Sequence, residues 1–87
     1  MASYELVIKR SVAKDLRGIP NKDVKQIVRR IQALATDPRP PGCEKLSGRE
    51  RYRLRQGSYR VLYEVDDRRV MVVVVKVVKR DSAYRKR

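Results

Sequence analysis

Arg51-Tyr52-Arg53-Leu54-Arg55-Gln56-Gly57-Ser58-Tyr59-Arg60-Val61-Leu62-Tyr63-Glu64-Val65 is the stretch on which the fold turns. From Arg51 to Gln56 every second residue is an arginine, the period of a β-strand with one face turned away from the core. Gly57-Ser58 supplies a tight turn, and Tyr59 to Val65 reads as a second strand, so the stretch predicts a hairpin. In that register Arg51, Arg53 and Arg55 share one face about 7 Å apart. Arg60, on the next strand, falls on the same face. Tyr59, Tyr63 and Val65 fall on the opposite one, and core packing is the expectation for them and for Tyr52.

Working outward, Asp66-Asp67-Arg68-Arg69 predicts a turn and Val70 to Val78 a third strand. Met71 to Val75 is apolar on both faces, which predicts a central strand with a helix on one side and another covering on the other. Upstream, Leu46-Ser47-Gly48 follows a stiff loop made by Pro38, Pro40, Pro41 and Gly42. Before it, Val24, Ile27, Val28, Ile31, Leu34 and Ala35 recur at helical spacing, with Asn21 as N-cap and Asp37-Pro38 as the stop. Gly18 and Pro20 separate this helix from a shorter one, Val12 to about Arg17, capped by Ser11. Tyr4 to Lys9 is a first strand. The sequence therefore predicts one α+β domain over residues 1–87, in the order β-α-α-β-β-β. It is a small twisted, mainly antiparallel sheet with two N-terminal helices packed on one face and a short C-terminal helix or tail.

Composition narrows the partner. The chain has 87 residues, enough for one domain with a modest core, and 23 Lys and Arg against 10 Asp and Glu leave a net charge of +13. Such an excess points to a polyanion, nucleic acid before membrane. There is no histidine, so the usual neutral-pH proton carrier is missing. A single cysteine, Cys43, excludes an intramolecular disulfide and fits a reducing cytoplasm. Without histidine the zinc patterns fail, and no metal or other cofactor is expected. Met1-Ala2-Ser3-Tyr4-Glu5 does not resemble a secretory signal, and the apolar run Val70 to Val75 is too short to span a bilayer.

Three groups of residues can carry chemistry. An arginine comb on one strand is often a solvated edge face that discourages aggregation. With Arg60 beside it, the density of like charge favours a ligand that neutralises it. Lys79-Arg80-Asp81-Ser82-Ala83-Tyr84 is ordinarily a fraying basic terminus. On a helical turn, however, Arg80 and Tyr84 share a face, a cation beside an aromatic ring, suited to a phosphate and a stacked base. Arg29 and Arg30, on the polar side of the second helix, are either solvated or help to steer RNA. Glu64, Asp66 and Asp67 read as turn residues rather than as a metal cluster. Cys43 has no histidine to activate it as a nucleophile.

Leu46-Ser47-Gly48, Tyr52-Arg53-Leu54-Arg55, Gly57-Ser58-Tyr59-Arg60-Val61-Leu62-Tyr63-Glu64-Val65, and Val77-Val78-Lys79-Arg80 with Tyr84 resemble the RelE/ParE superfamily of toxins from toxin–antitoxin modules. The resemblance spans nearly the whole chain, and Tyr-Arg-Val-Leu-Tyr is its most specific element. The RelE branch cleaves mRNA in the aminoacyl site of the ribosome, whereas the ParE branch poisons DNA gyrase and does not need the catalytic set. That set implies catalytic roles for Arg53, Arg55, Arg60, Arg80 and Tyr84, and all five positions are filled here. Val78 stands where many members have glycine, and arginines occupy 53 and 55 where some have lysines.

The resemblance thus implies a metal-independent endoribonuclease working by attack of the 2′-hydroxyl on its own phosphate. Arg60 and Arg80 would clamp the phosphate, Arg53 and Arg55 hold the backbone and polarise the hydroxyl, and Tyr84 stack on a base. Arg51, Lys79, Arg85, Arg29 and Arg30 are the expected RNA-binding residues. The implied partners are a cognate antitoxin, the ribosome and mRNA, with operator DNA met only through the antitoxin complex. Gyrase inhibition and simple RNA or ribosome binding are the alternatives.

Overall fold

The structure, a computed structural model, describes residues 3–46 and 50–79. Its elements are β1 (Glu5–Ile8), α1 (Arg10–Arg17), α2 (Asn21–Ala33), β2 (Cys43–Leu46), β3 (Arg51–Gln56), β4 (Tyr59–Asp66) and β5 (Met71–Lys79). The strands form one open sheet in the order β1-β5-β4-β3-β2. β2 through β5 pair antiparallel, and β1 runs parallel to β5. The expected α+β order therefore holds, with one strand added. The loop expected after the prolines contains β2, whose residues Cys43 to Leu46 pair with Leu54 back to Arg51. Four residues carry too little periodicity to announce themselves, and the edge of β3 supplies what the sequence of β2 lacks.

The helices lie on one face. Val12, Ile27, Ile31 and Leu34 close over Tyr52, Leu54, Val61, Tyr63, Val65, Val72, Val74 and Val77 to make the core. α2 keeps the predicted apolar stripe but begins at Asn21 and ends at Ala33, four residues short of Asp37. Tyr63 and Tyr52 both lie in the core as expected, and their rings stack with centroids 5.6 Å apart. The Tyr63 hydroxyl donates to the Pro38 carbonyl at 2.7 Å, and burial raises its pKa well above the usual tyrosine value. That bond ties the proline loop to the centre of the sheet.

β5 lies second from the edge rather than at the centre, which β4 occupies. A bulge opposite Leu62 and Tyr63 inserts Val75 into β5, so that Val72, Val74 and Val77 all face the core although the spacing changes parity. On the other face Met71, Val73 and Val75 are half-buried. Among the described residues no second layer covers that face, contrary to the expectation from their apolar run. β1 accompanies β5 only as far as Val74. Beyond it α1 serves as the neighbour: Ser11 Oγ donates to the Val75 carbonyl at 3.4 Å and Asp15 accepts from the Val77 N–H at 3.0 Å. Ser11 therefore lies inside α1, which starts at Arg10, and is not its cap.

Candidate active site

The β3–β4 hairpin sets Arg55 opposite Arg60 and Arg53 opposite Leu62, so the arginine face read from the sequence is real. β2 ends its pairing at the Cys43–Leu54 pair, and Arg55 continues past it. There a cleft of about 410 Å³ opens, lined by Arg30, Gly42, Glu44, Arg53, Arg55 and Arg60. Four arginines and one carboxylate line it. Arg60 is only 7% exposed and forms the buried side of the cleft, Arg53 is half-buried, and Arg55 is exposed. Planar guanidiniums arranged this way suit bidentate contacts to phosphate oxygens.

Glu44 is the member that the sequence did not announce. It stands across from Arg53 on β2 and accepts from both Arg53 Nε, at 3.1 Å, and Arg53 Nη2. The Arg53 hydrogen bond and charge hold its carboxyl below the usual glutamate range, with Arg55 and Arg60 adding to the effect. Its role follows from the pairing of β2, which is invisible until the strand is known. Gly42, at the mouth, has φ of +93°, a conformation that suits glycine where the chain turns into β2.

The other expected residues separate. Arg51 shares the comb's face but is held by Glu64 on β4, through Nε at 3.1 Å and through Nη2, and does not line the cleft. Arg30 does line it, reaching in from α2, whereas Arg29 is exposed outside it. Lys79 is exposed at the end of β5. Arg80, Tyr84 and Arg85 lie outside the described residues. Among the described residues no group of His, Cys, Asp and Glu can hold a metal ion, and Glu64, Asp66 and Asp67 are engaged in ion pairs. No helix among those residues is long and apolar enough to cross a membrane.

Away from the cleft, Arg39 knots the proline loop to β3, to the residue before it and to the β4–β5 turn. It donates to the Tyr52 hydroxyl at 2.8 Å, to Asp67 at 2.8 Å and to Glu50 at 3.2 Å, with its guanidinium over the Tyr52 ring. Tyr4 adds a bond to Asp67 at 2.8 Å. Arg39 and then Tyr4 hold the Asp67 carboxyl below its ordinary range. Lys45, Tyr52 and Arg39 do the same for Glu50.

A sheet of this order, with two helices on one face and arginines gathered on its hairpin, matches toxins of type II toxin–antitoxin systems. Residues 6–84 match the family described as the ParE toxin of the type II toxin–antitoxin system parDE, and the chain belongs to the RelE/ParE toxin superfamily. Within it, the chain is 33% identical over 88 residues to toxin RelE1 of Methanocaldococcus jannaschii, covering 94% of this chain and 96% of that protein. It superposes on RelE of the archaeal RelE–RelB complex from Pyrococcus horikoshii with a TM-score of 0.82 at 27% identity, covering 90% of this chain and 96% of that one. The isolated Escherichia coli RelE toxin gives 0.75 at 26% identity, over 88% of this chain and 84% of that one.

Proposed function

We propose that this toxin is a metal-independent endoribonuclease that cuts mRNA in the ribosomal A site. The observation that carries the reading is the convergence of Arg30, Arg53, Arg55 and Arg60 on one cleft. Breaking the RNA backbone requires the 2′-hydroxyl to lose a proton as it attacks. Charge on the phosphorane must be stabilised and the 5′-oxygen protonated as it leaves. Arginines suit the second task, since a guanidinium stays charged and offers a fixed fork of donors. Arg60, buried and fixed by the sheet, grips the scissile phosphate together with Arg80. Arg53 and Arg55 hold the flanking backbone and polarise the attacking hydroxyl, and Tyr84 stacks on a base. The products are a 2′,3′-cyclic phosphate and a 5′-hydroxyl.

The incoming phosphate competes with Glu44 for Arg53, so the cleft carries its own counterion until RNA arrives. Glu44, the one carboxylate among the described residues of the cleft, is held by Arg53 with its pKa lowered and is therefore a poor base, which fits a reaction that relies on the ribosome to bend the mRNA. A cognate antitoxin is the second partner: relatives in the superfamily crystallise as RelE–RelB and RelBE complexes. An acidic segment of it would meet the basic face. The toxin acts in the cytoplasm.

The family description itself names ParE, which favours gyrase inhibition as the second reading. Primer extension in a reconstituted translation system, with and without ribosomes, separates the two. Cuts within codons that need ribosomes are expected, and Arg60→Ala should slow them about 10²–10³-fold, the cost of a lost transition-state donor. Arrest of supercoiling by gyrase with intact mRNA would decide for the ParE reading.

A further inference from the structure

Past Val74 the last strand loses its outer neighbour, because β1 ends there, while β4 pairs with it as far as Lys79. Val77 is the last β5 residue in the core. A cavity of about 450 Å³, lined by Asp15, Ile19, Tyr59, Val77 and Lys79 among others, lies between the strand end and the connection from α1 to α2. Packing therefore does little to fix this end of β5. Residues at the start of α1 do so instead, by continuing the missing ladder. Lys9 donates its N–H to the Val74 carbonyl at 3.0 Å, and Ser11 donates its hydroxyl to the Val75 carbonyl at 3.4 Å. Asp15 accepts from the Val77 N–H at 3.0 Å through one oxygen and from Lys76 Nζ at 3.5 Å through the other. Ser11 and Asp15 are one turn apart on the same face of α1, and between them they touch every residue from Val75 to Val77.

Those three residues surround the bulge, and the bulge decides which face every later residue takes. Before it, Met71 and Val73 stand opposite Asp66 and Glu64 on the open face of the sheet, and Val72 and Val74 lie in the core. After it, Val77 stands opposite Val61 in the core and Val78 stands opposite Arg60 on the open face. Without the extra residue, even-numbered positions would stay with the core, and both Val78 and Arg80, two residues further on, would be assigned to the side away from Arg60. With it, alternation from Val78 assigns position 80 to the face that carries Arg53, Arg55 and Arg60. A slip of one residue reverses that assignment, and the valines of β5 can fill the core in either phase.

We propose that Asp15, supported by Ser11, is a positioning residue for the phosphate site: by holding the bulge in place it sets the phase in which β5 delivers Arg80 to the side of Arg60. The inference rests on the nuclease reading, in which Arg60 and Arg80 grip the scissile phosphate together. A small misplacement of one of two phosphate ligands is costly in a reaction that depends on geometry. The ordinary role for Asp15, satisfying one backbone donor, would support the fold and leave the chemistry alone.

The test compares the full chain as wild type, Asp15→Ala and Asp15→Asn in a reconstituted translation system, at a temperature where all three are folded. In Asp15→Ala kcat should fall about tenfold or more while KM stays within about threefold of wild type, since the arginine comb still binds the RNA. Asp15→Asn keeps an acceptor for the Val77 N–H and should recover at least about threefold of that loss. A smaller fall in kcat, a change confined to KM, or an Asn variant as slow as the Ala one overturns the assignment. If wild type makes no cut at all, the nuclease reading has failed and the phase is read directly, from nuclear Overhauser contacts between β4 and β5. Wild type should show the contact of Val78 with Arg60, and Asp15→Ala should weaken it by about half or more relative to the contact of Val72 with Val65, with Asp15→Asn preserving it. A contact that Asp15→Ala leaves unchanged, or one missing from wild type, overturns the role of Asp15 in the phase.

Discussion

Arg51 and Arg53 stand two residues apart on the same face of β3, yet each is held by a different glutamate and only Arg53 lines the cleft. Alternation alone treats them as equals. What separates them is the neighbour supplied by the next strand, Glu64 for Arg51 and Glu44 for Arg53. Glu44 makes the sharper forecast. Glu44→Gln removes the internal competitor for Arg53 without removing a cation, so RNA should bind several-fold more tightly at low salt. The slope of log affinity against log salt should steepen by about 0.7, the value for one more contact to single-stranded phosphate. Filter binding over a salt series reads both, and an unchanged affinity and slope would mean that Glu44 does not hold Arg53 back from RNA. Arg29→Ala, on the exposed side of α2, should instead make the slope shallower by about the same amount and leave turnover at saturation alone.

At the level of elements, the hairpin, the helix stripe and the third strand were all legible because their periods of two and 3.6 are long enough to read. β2 was not, and neither was the bulge that shifts Val77 back into the core. Both arise from pairing between distant segments, and the sequence of β5, Met71-Val72-Val73-Val74-Val75-Lys76-Val77-Val78-Lys79, is apolar enough to suit either phase until Lys76 decides it. The role of Asp15 was hidden for the same reason. Its carboxylate takes the Val77 N–H where β1 has already ended. Asp15→Ala leaves that part-buried donor without its carboxylate and should cost about 1 kcal/mol, whereas Asp15→Asn keeps an acceptor and should cost less. Urea unfolding of the two variants checks the order; equal losses would point to the Lys76 ion pair as the larger contribution. The arginine cleft was half legible: the comb and Arg60 follow from register, but Arg30 enters from α2 through the packing of a helix on a sheet.

For the whole molecule, the arrangement of charge sets the response to pH. Asp67, Glu50 and Glu44 have carboxyls held below their ordinary values of 3.8, 4.5 and 4.5 by arginine, lysine and tyrosine partners. A carboxyl lowered in the folded state adds stability that is complete above its ordinary pKa and is lost as pH falls through the folded one. The melting temperature should therefore be level from pH 8 to about 5 and fall below about 4. In Arg39→Ala, which removes the guanidinium that does most to hold the Asp67 carboxyl down, the acid fall should be shallower from a lower plateau. A melting curve series over pH tests it, and a parallel fall in both proteins would rule Arg39 out as the source.

The pairing of β1 with β5 joins residues 5–8 to residues 71–74, 66 positions further along the 87-residue chain. During synthesis the first strand has no neighbour in the sheet until the last one has been made. Loop closure on that scale is slow and comes late. A nascent toxin would therefore leave its ribosome before its sheet is complete. That interval is also when a waiting antitoxin would find Glu5 to Ile8 and the valines of β5 unpaired.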